Sequence, residues 1–205
     1  MSLLMKIESL TCRRASTPIL QGVNLELHSG MITVLRGPNG SGKTTLLRHL
    51  AGLGSDTQGL DTEEIVFSGH LDAIKATLTV GENLRFWAGV YSKALDPAII
   101  ENFELSDLIE RPAGRLSAGQ KRRLGLARVV LSGAKVWLLD EPTVSLDTAS
   151  TDRLVALIAD HSARGGACIL STHIDLALPQ AQILDITQFK ASSQEADPFL
   201  SGDFT

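Results

Sequence analysis

Apolar and polar residues alternate with period two in "MKIESL" (5–10) and "VNLELH" (23–28), the pattern of half-buried antiparallel strands. Further on the alternation gives way to continuous apolar runs. "MITVLRG" (31–37) leads into a Gly-rich turn and then a helix from Thr44 to Leu53, with Leu46, Leu47, Leu50 and Leu53 on one face. A strand at "EIVFSG" (64–69) precedes helical stretches between about 80 and 132. Two buried strands follow, "KVWLLD" (135–140) and "ACILST" (167–172), separated by a helix from Thr148 to about Ser162 and an "RGG" turn. Apolar strands alternating with helices predict an α/β fold with a mostly parallel sheet covered on both faces. The N-terminal strands form an antiparallel β subdomain, residues 72–133 a small α-helical subdomain, and 191–205 a polar tail that frays.

At 205 residues the chain fits one domain, 1–205, long enough to bury a substantial core. Hydrophobic residues make up 43% and charged residues 20%, which argues against a disordered chain. A net charge of -4 gives no general electrostatic reason to bind nucleic acid, and the basic triplet Lys121, Arg122, Arg123 is local. Cys12 and Cys168 lack metal-site spacing and read as buried small hydrophobes. The start lacks a signal-peptide pattern, and no apolar run approaches the roughly 18 residues needed to span a bilayer. The chain is expected to stay on the side of the membrane where it is made.

The stretch "RLSAGQKRRLGLARVVL" (115–131) opens a helix with a capping box, Ser117 with Gln120. Gly119 in that first turn costs roughly 0.5–1 kcal/mol relative to Ala, so something is expected to approach its backbone closely. A Ser hydroxyl, bare amides and a Gly at a helix N-terminus suit an anion.

"GPNGSGKTT" fits G-x-x-x-x-G-K-[ST], with Gly37, Pro38, Asn39, Gly40, Ser41, Gly42, Lys43, Thr44 and Thr45 forming a loop whose amides turn inward around phosphates. Lys43 can reach the β- and γ-phosphates of a nucleotide, and the Thr44 hydroxyl can ligate Mg²⁺. A preceding strand and a following helix supply the context the motif requires. "VWLLDEP" places two carboxylates at the C-terminal end of a buried strand, where ligands bind in open parallel sheets. Asp140 suits the Mg²⁺ shell, and Glu141 suits a general base for the attacking water. His173 follows another apolar strand and should emerge at the same edge. A lone His at a strand end is more often structural than catalytic, but this position favours a donor to the γ-phosphate.

In this order, "GPNGSGKTT", "LSAGQ", "VWLLDEP", "SLD" and "STH" resemble the ATP-binding subunits of ABC transporters, P-loop NTPases, over nearly the whole chain. The resemblance implies that Ser117, Ala118, Gly119 and Gln120 contact ATP held by a partner's phosphate loop, so that the working unit is a homodimer with two composite sites. Ser145, Leu146 and Asp147 then form the loop that communicates across the dimer. The family usually stacks adenine on an upstream aromatic, but none occurs before Phe67, leaving Arg13 or Arg14 as the planar substitute. His70 stands where most members carry the Gln that couples the γ-phosphate to the membrane subunit.

The short chain, "FSGH" and "LTVGENLRFW" narrow the resemblance to ATP-binding subunits of the bacterial cytochrome c biogenesis system, the haem exporter. That match implies transmembrane permease partners of the CcmB and CcmC kind, a peripheral place on the cytoplasmic face of the inner membrane, and no regulatory domain after the last motif. No haem ligand set is evident. Another small-substrate exporter is the alternative. A soluble non-transport ABC ATPase usually shows tandem cassettes or a basic surface, and a binding module without turnover has no need of Glu141. Five of the nine aromatics, Phe67, Phe86, Trp87, Tyr91 and Phe103, fall between the core strands and the helix opened by the "LSAGQ" signature. They read either as a small core or as the groove for a transmembrane subunit, the latter predicting contact roles for Trp87 and Tyr91.

Overall fold

The structure, a computed structural model, describes residues 1–54, 64–178 and 180–191. The polar tail expected at 191–205 lies outside these residues apart from Ala191. Strands β1 (Leu3–Arg14) and β2 (Thr17–His28) form an antiparallel hairpin, longer than the two alternating segments that announced it. The remaining strands are β3 (Ile32–Arg36), β4 (Ile65–Ser68), β5 (Val136–Asp140), β6 (Ala167–Ser171) and β7 (Gln182–Asp185). They form one sheet in the order β4-β5-β6-β3-β7, parallel at every pairing. The helices are α1 (Lys43–Leu50), α2 (Val80–Val90), α3 (Pro97–Asn102), α4 (Ala118–Ser132) and α5 (Thr148–Ala163).

Side chains of a strand alternate between its faces, so an apolar run buried on both sides supplies two cores. Leu138 and Ile169 point to one side, where they pack with the hairpin's Leu20 and Leu27 and with Leu46, Leu47 and Leu50 of α1. Trp137, Leu139, Cys168 and Leu170 point to the other, against Leu84 of α2, Leu124 and Ala127 of α4, and Leu154 and Ile158 of α5. Burial pushes the Cys168 thiol well above its ordinary pKa, consistent with a small hydrophobe that does no chemistry.

One expectation needs correction, and the two readings of the aromatics divide residue by residue. Leu53 lies beyond the end of α1 and is 55% exposed, because the helix stops at Leu50 and only the first three leucines face the core. The aromatics do not act as one group. Phe103 is buried, and Tyr91 stacks on Trp87 while its hydroxyl accepts from Arg128 Nη1 at 2.9 Å. Trp87 Nε1 donates to the Ala73 carbonyl at 3.1 Å. Trp87 and Tyr91 are thus built into the packing around α2 and α4, whereas Phe86 and Leu71 remain exposed.

Candidate active site

The Gly-rich loop joins β3 to α1, and Gly42 at its end sits at φ +107°, in the region that a side chain disfavours. A Cβ there would also press on Ile19 and Leu20 of β2 at 3.0–3.1 Å. Lys43 is buried inside the loop, donating to the carbonyls of Gly37 (2.8 Å) and Pro38 (3.1 Å). Ser41 Oγ is buried without a protein partner, a donor suited to a phosphate oxygen.

Strand pairing brings distant residues to this loop. Asp140 ends β5 opposite Ser171 of β6. Its carboxylate accepts from Thr44 Oγ1 at 2.7 Å on one oxygen and from Ser171 Oγ at 2.6 Å on the other. A hydroxyl beside a carboxylate is an all-oxygen donor pair of the kind Mg²⁺ takes together with phosphate oxygens and waters. The arrangement therefore fits that ion.

Glu141 has φ +47°, a left-handed conformation that costs a non-glycine residue of order 1–3 kcal/mol. Its N–H is held by the carbonyl and hydroxyl oxygens of Ser171 at 3.2 and 3.0 Å. Its Oε1 is buried without a hydrogen bond, 3.3 Å from His173 Nε2, an ion-pair contact when that imidazole is protonated. Lys43, Thr44, Asp140, Glu141 and His173 all line one cleft of about 760 Å³. The cleft extends past Asn39, Gly40 and Thr45 to Arg13 and Arg14, where the Arg13 guanidinium donates to the Ser16 carbonyl in the hairpin turn.

Among the described residues, Ser117, Ala118, Gly119 and Gln120 do not line that cleft. The capping box forms as expected, Gln120 N–H to Ser117 Oγ at 3.2 Å and Ser117 N–H to Gln120 Oε1 at 2.9 Å. Gly119 has a reason within its own chain. A Cβ there would lie 2.7 Å from the Ser145 carbonyl oxygen, so the signature turn and the loop before α5 meet where only hydrogen fits. Asp147 caps α5 by accepting from Ser150 N–H at 2.8 Å, and hydrogen bonds from Ser150 hold its carboxyl below the usual range. His70 lines a separate pocket of about 200 Å³ together with Ala118, Glu141 and Ser145. Glu141 thus borders both spaces.

Sequence reasoning missed three supporting residues. Arg36, the last of β3, donates to the carbonyls of Thr172 (2.9 Å) and Ile174 (3.3 Å) and to Asp175 Oδ1 (2.6 Å), bracketing His173. His49 accepts the Arg13 N–H on Nε2 at 3.2 Å and contacts the Thr45 carbonyl through Nδ1 at 2.8 Å, tying α1 to β1. Ser171 is fully buried and serves both carboxylate residues. The signal for Ser171 and Arg36 was a polar residue closing an apolar strand; His49 had none beyond its place on the buried side of α1. Replacing Ser171 by Ala strips Asp140 Oδ1 of its partner and should cost about 1–3 kcal/mol in urea unfolding. A change under about 0.5 kcal/mol, the range of ordinary surface substitutions, contradicts this role.

Residues 20–144 match the family model described as ABC transporter. The chain is 49% identical, over 91% of its length and 92% of the relative's, to the cytochrome c biogenesis ATP-binding export protein CcmA of Roseobacter denitrificans. It is 50% identical to the protein of the same name from Paracoccus denitrificans, covering 92% of this chain and 91% of the relative. An ABC transporter ATP-binding protein from Pyrococcus furiosus shares the fold with a TM-score of 0.77 at 23% identity, covering 91% of this chain and 98% of its own. A dimeric ATP-binding cassette in a post-hydrolysis state with ADP and Pi aligns with a TM-score of 0.72 at 23% identity, over 89% of this chain and 94% of its own. The chain belongs to the ABC transporter ATP-binding family, and within it to the cytochrome c biogenesis ATP-binding export proteins.

Proposed function

We propose that this chain is the ATP-hydrolysing subunit of a cytochrome c biogenesis export complex, working as a homodimer on the cytoplasmic face of the bacterial inner membrane. The observation that carries the reading is the convergence of Lys43, Thr44, Asp140, Glu141 and His173 on one cleft beside a phosphate loop. Family members are ATPases. The loop amides with Lys43 and the Ser41 hydroxyl bind the phosphates, Thr44 and Asp140 hold Mg²⁺, and that ion, when bound, offsets phosphate charge. Glu141 takes a proton from the attacking water, while His173 donates to the γ-phosphate. Adenine rests against Arg13 or Arg14. Ser117, Gly119 and the 145–147 loop face the nucleotide of the second copy, and His70 relays the state of the site toward permease subunits of the CcmB and CcmC kind.

None of the helices among the described residues is long and apolar enough to cross a membrane, so force must pass through a docking surface. Phe86 (40% exposed) and Leu71 (76% exposed) are the apolar side chains that the 70–91 segment offers for it, together with Val90. Affinity purification of the tagged chain from solubilised membranes should recover permease subunits of the cytochrome c biogenesis system. Leu71→Asp with Phe86→Asp should weaken that recovery at least tenfold without changing ATP binding by the isolated chain. Recovery of a different permease assigns the chain to another exporter, and recovery of none removes it from transport.

A further inference from the structure

Lys121, Arg122 and Arg123 form one basic run in the sequence, but the fold separates them. Lys121 is half-buried and Arg123 pairs with Glu104 at 3.4 Å, whereas Arg122 is only 4% exposed. A guanidinium has five N–H donors and no acceptor, and each one left unpaired in the interior is costly. Here all five find an oxygen. Nε donates to the Pro142 carbonyl (3.1 Å), Nη1 to the Gly69 carbonyl and Asp72 Oδ1 (2.8 Å each), and Nη2 to the carbonyls of Asp140 (3.0 Å) and Glu141 (2.7 Å).

Three of those acceptors are consecutive carbonyls centred on Glu141, the residue with the strained φ. Ser171 holds its N–H from one side and Arg122 its carbonyl from the other. The other two acceptors flank His70. One turn along α4 from Arg122, a Cβ on Gly125 would sit 2.7 Å from Asp72 Cβ, so the bare glycine admits the carboxylate that completes the set.

We infer that Arg122 is a positioning residue for ATP hydrolysis: it locks the strained backbone under Glu141 and ties it to the 69–72 segment. This inference rests on Glu141 being the general base. Arg122 does not itself line the cleft, so it acts through the main chain it holds, chiefly that of Glu141 together with the adjoining carbonyl of Asp140. A shift of about 1 Å in a reacting group typically costs about 100-fold in rate.

Arg122→Lys keeps the charge but supplies three donors without the planar fork, leaving at least two of the five acceptors unpaired. ATP hydrolysis by the full chain should then show kcat reduced about 100-fold with KM for ATP unchanged. In a Glu141→Gln background the same substitution should cost far less than about 100-fold of the residual rate, because the base that Arg122 chiefly places is already gone. Asp72→Asn and Gly125→Ala, which loosen the clamp without touching Arg122, should reduce kcat in the same direction, and they decide the matter if Arg122→Lys does not fold. An unchanged kcat, or a raised KM at constant kcat, overturns the assignment. So does an undiminished, roughly 100-fold loss in the Glu141→Gln background. If Glu141→Gln itself hydrolyses ATP normally, the general-base reading fails instead, a result distinguishable from the others.

Discussion

Glu141→Gln should abolish steady-state ATP turnover, by at least about 100-fold, while ATP still binds with wild-type affinity. The amide keeps the side chain's shape and size but cannot accept the proton of water. Nothing else need move, since the Glu141 backbone is fixed by Ser171 and Arg122 rather than by its own carboxylate. Asp140 is not expected to substitute for it, as its carboxylate already accepts from Thr44 and Ser171 and its remaining lone pairs are the ones assigned to Mg²⁺. Binding measured with a fluorescent ATP analogue and turnover measured by phosphate release separate the two effects. Hydrolysis near the wild-type rate removes Glu141 from the base role.

Mixing two inactive variants should restore activity. Lys43→Ala removes the ammonium from the phosphate loop, and Ser117→Arg fills the signature turn with a cation. Each homodimer then carries two defective sites. A mixed dimer joins the intact loop of one chain to the intact signature of the other, giving one complete site beside one doubly defective one. Random exchange should therefore recover roughly a quarter of the wild-type sites, as two-fold pairing of the chains dictates. Ser117 also caps α4, and losing that cap costs about 1 kcal/mol, so melting curves of the Ser117→Arg chain are the necessary control. Activity that stays at the sum of the separate variants places the complete site within one chain.

The sequence is most legible where one segment contains its own explanation. The phosphate loop announces itself because the glycines, Lys43 and Thr44 are contiguous, and the Ser117–Gln120 capping box because both partners sit in one turn. The apolar runs of β5 and β6 predict buried parallel strands, since no exposed strand would be apolar on both faces. Strand β7 was not foreseen: its four residues are largely exposed, and it exists only through pairing with the edge of β3. Gly119 drew the right question, and part of its answer lies in the Ser145 carbonyl of the same chain. Arg122 was the most misleading residue. Three adjacent cations resemble a solvated patch until the helix turns one of them inward toward carbonyls 18 to 53 residues away in sequence. Trp87 and Tyr91 illustrate the same limit, because only the packing of α2 on α4 shows that their polar atoms are already engaged.

The central claim is a composite site closed by ATP between two copies, and sedimentation of the Glu141→Gln chain tests it most directly. With hydrolysis blocked, ATP and Mg²⁺ should convert the monomer to a species of twice the mass, reversibly and in proportion to nucleotide occupancy. ADP should not do so, because the partner's Ser117 and Gly119 then have no γ-phosphate to contact. A chain that stays monomeric with saturating ATP, at high concentration and with the permease subunits present, contradicts the account.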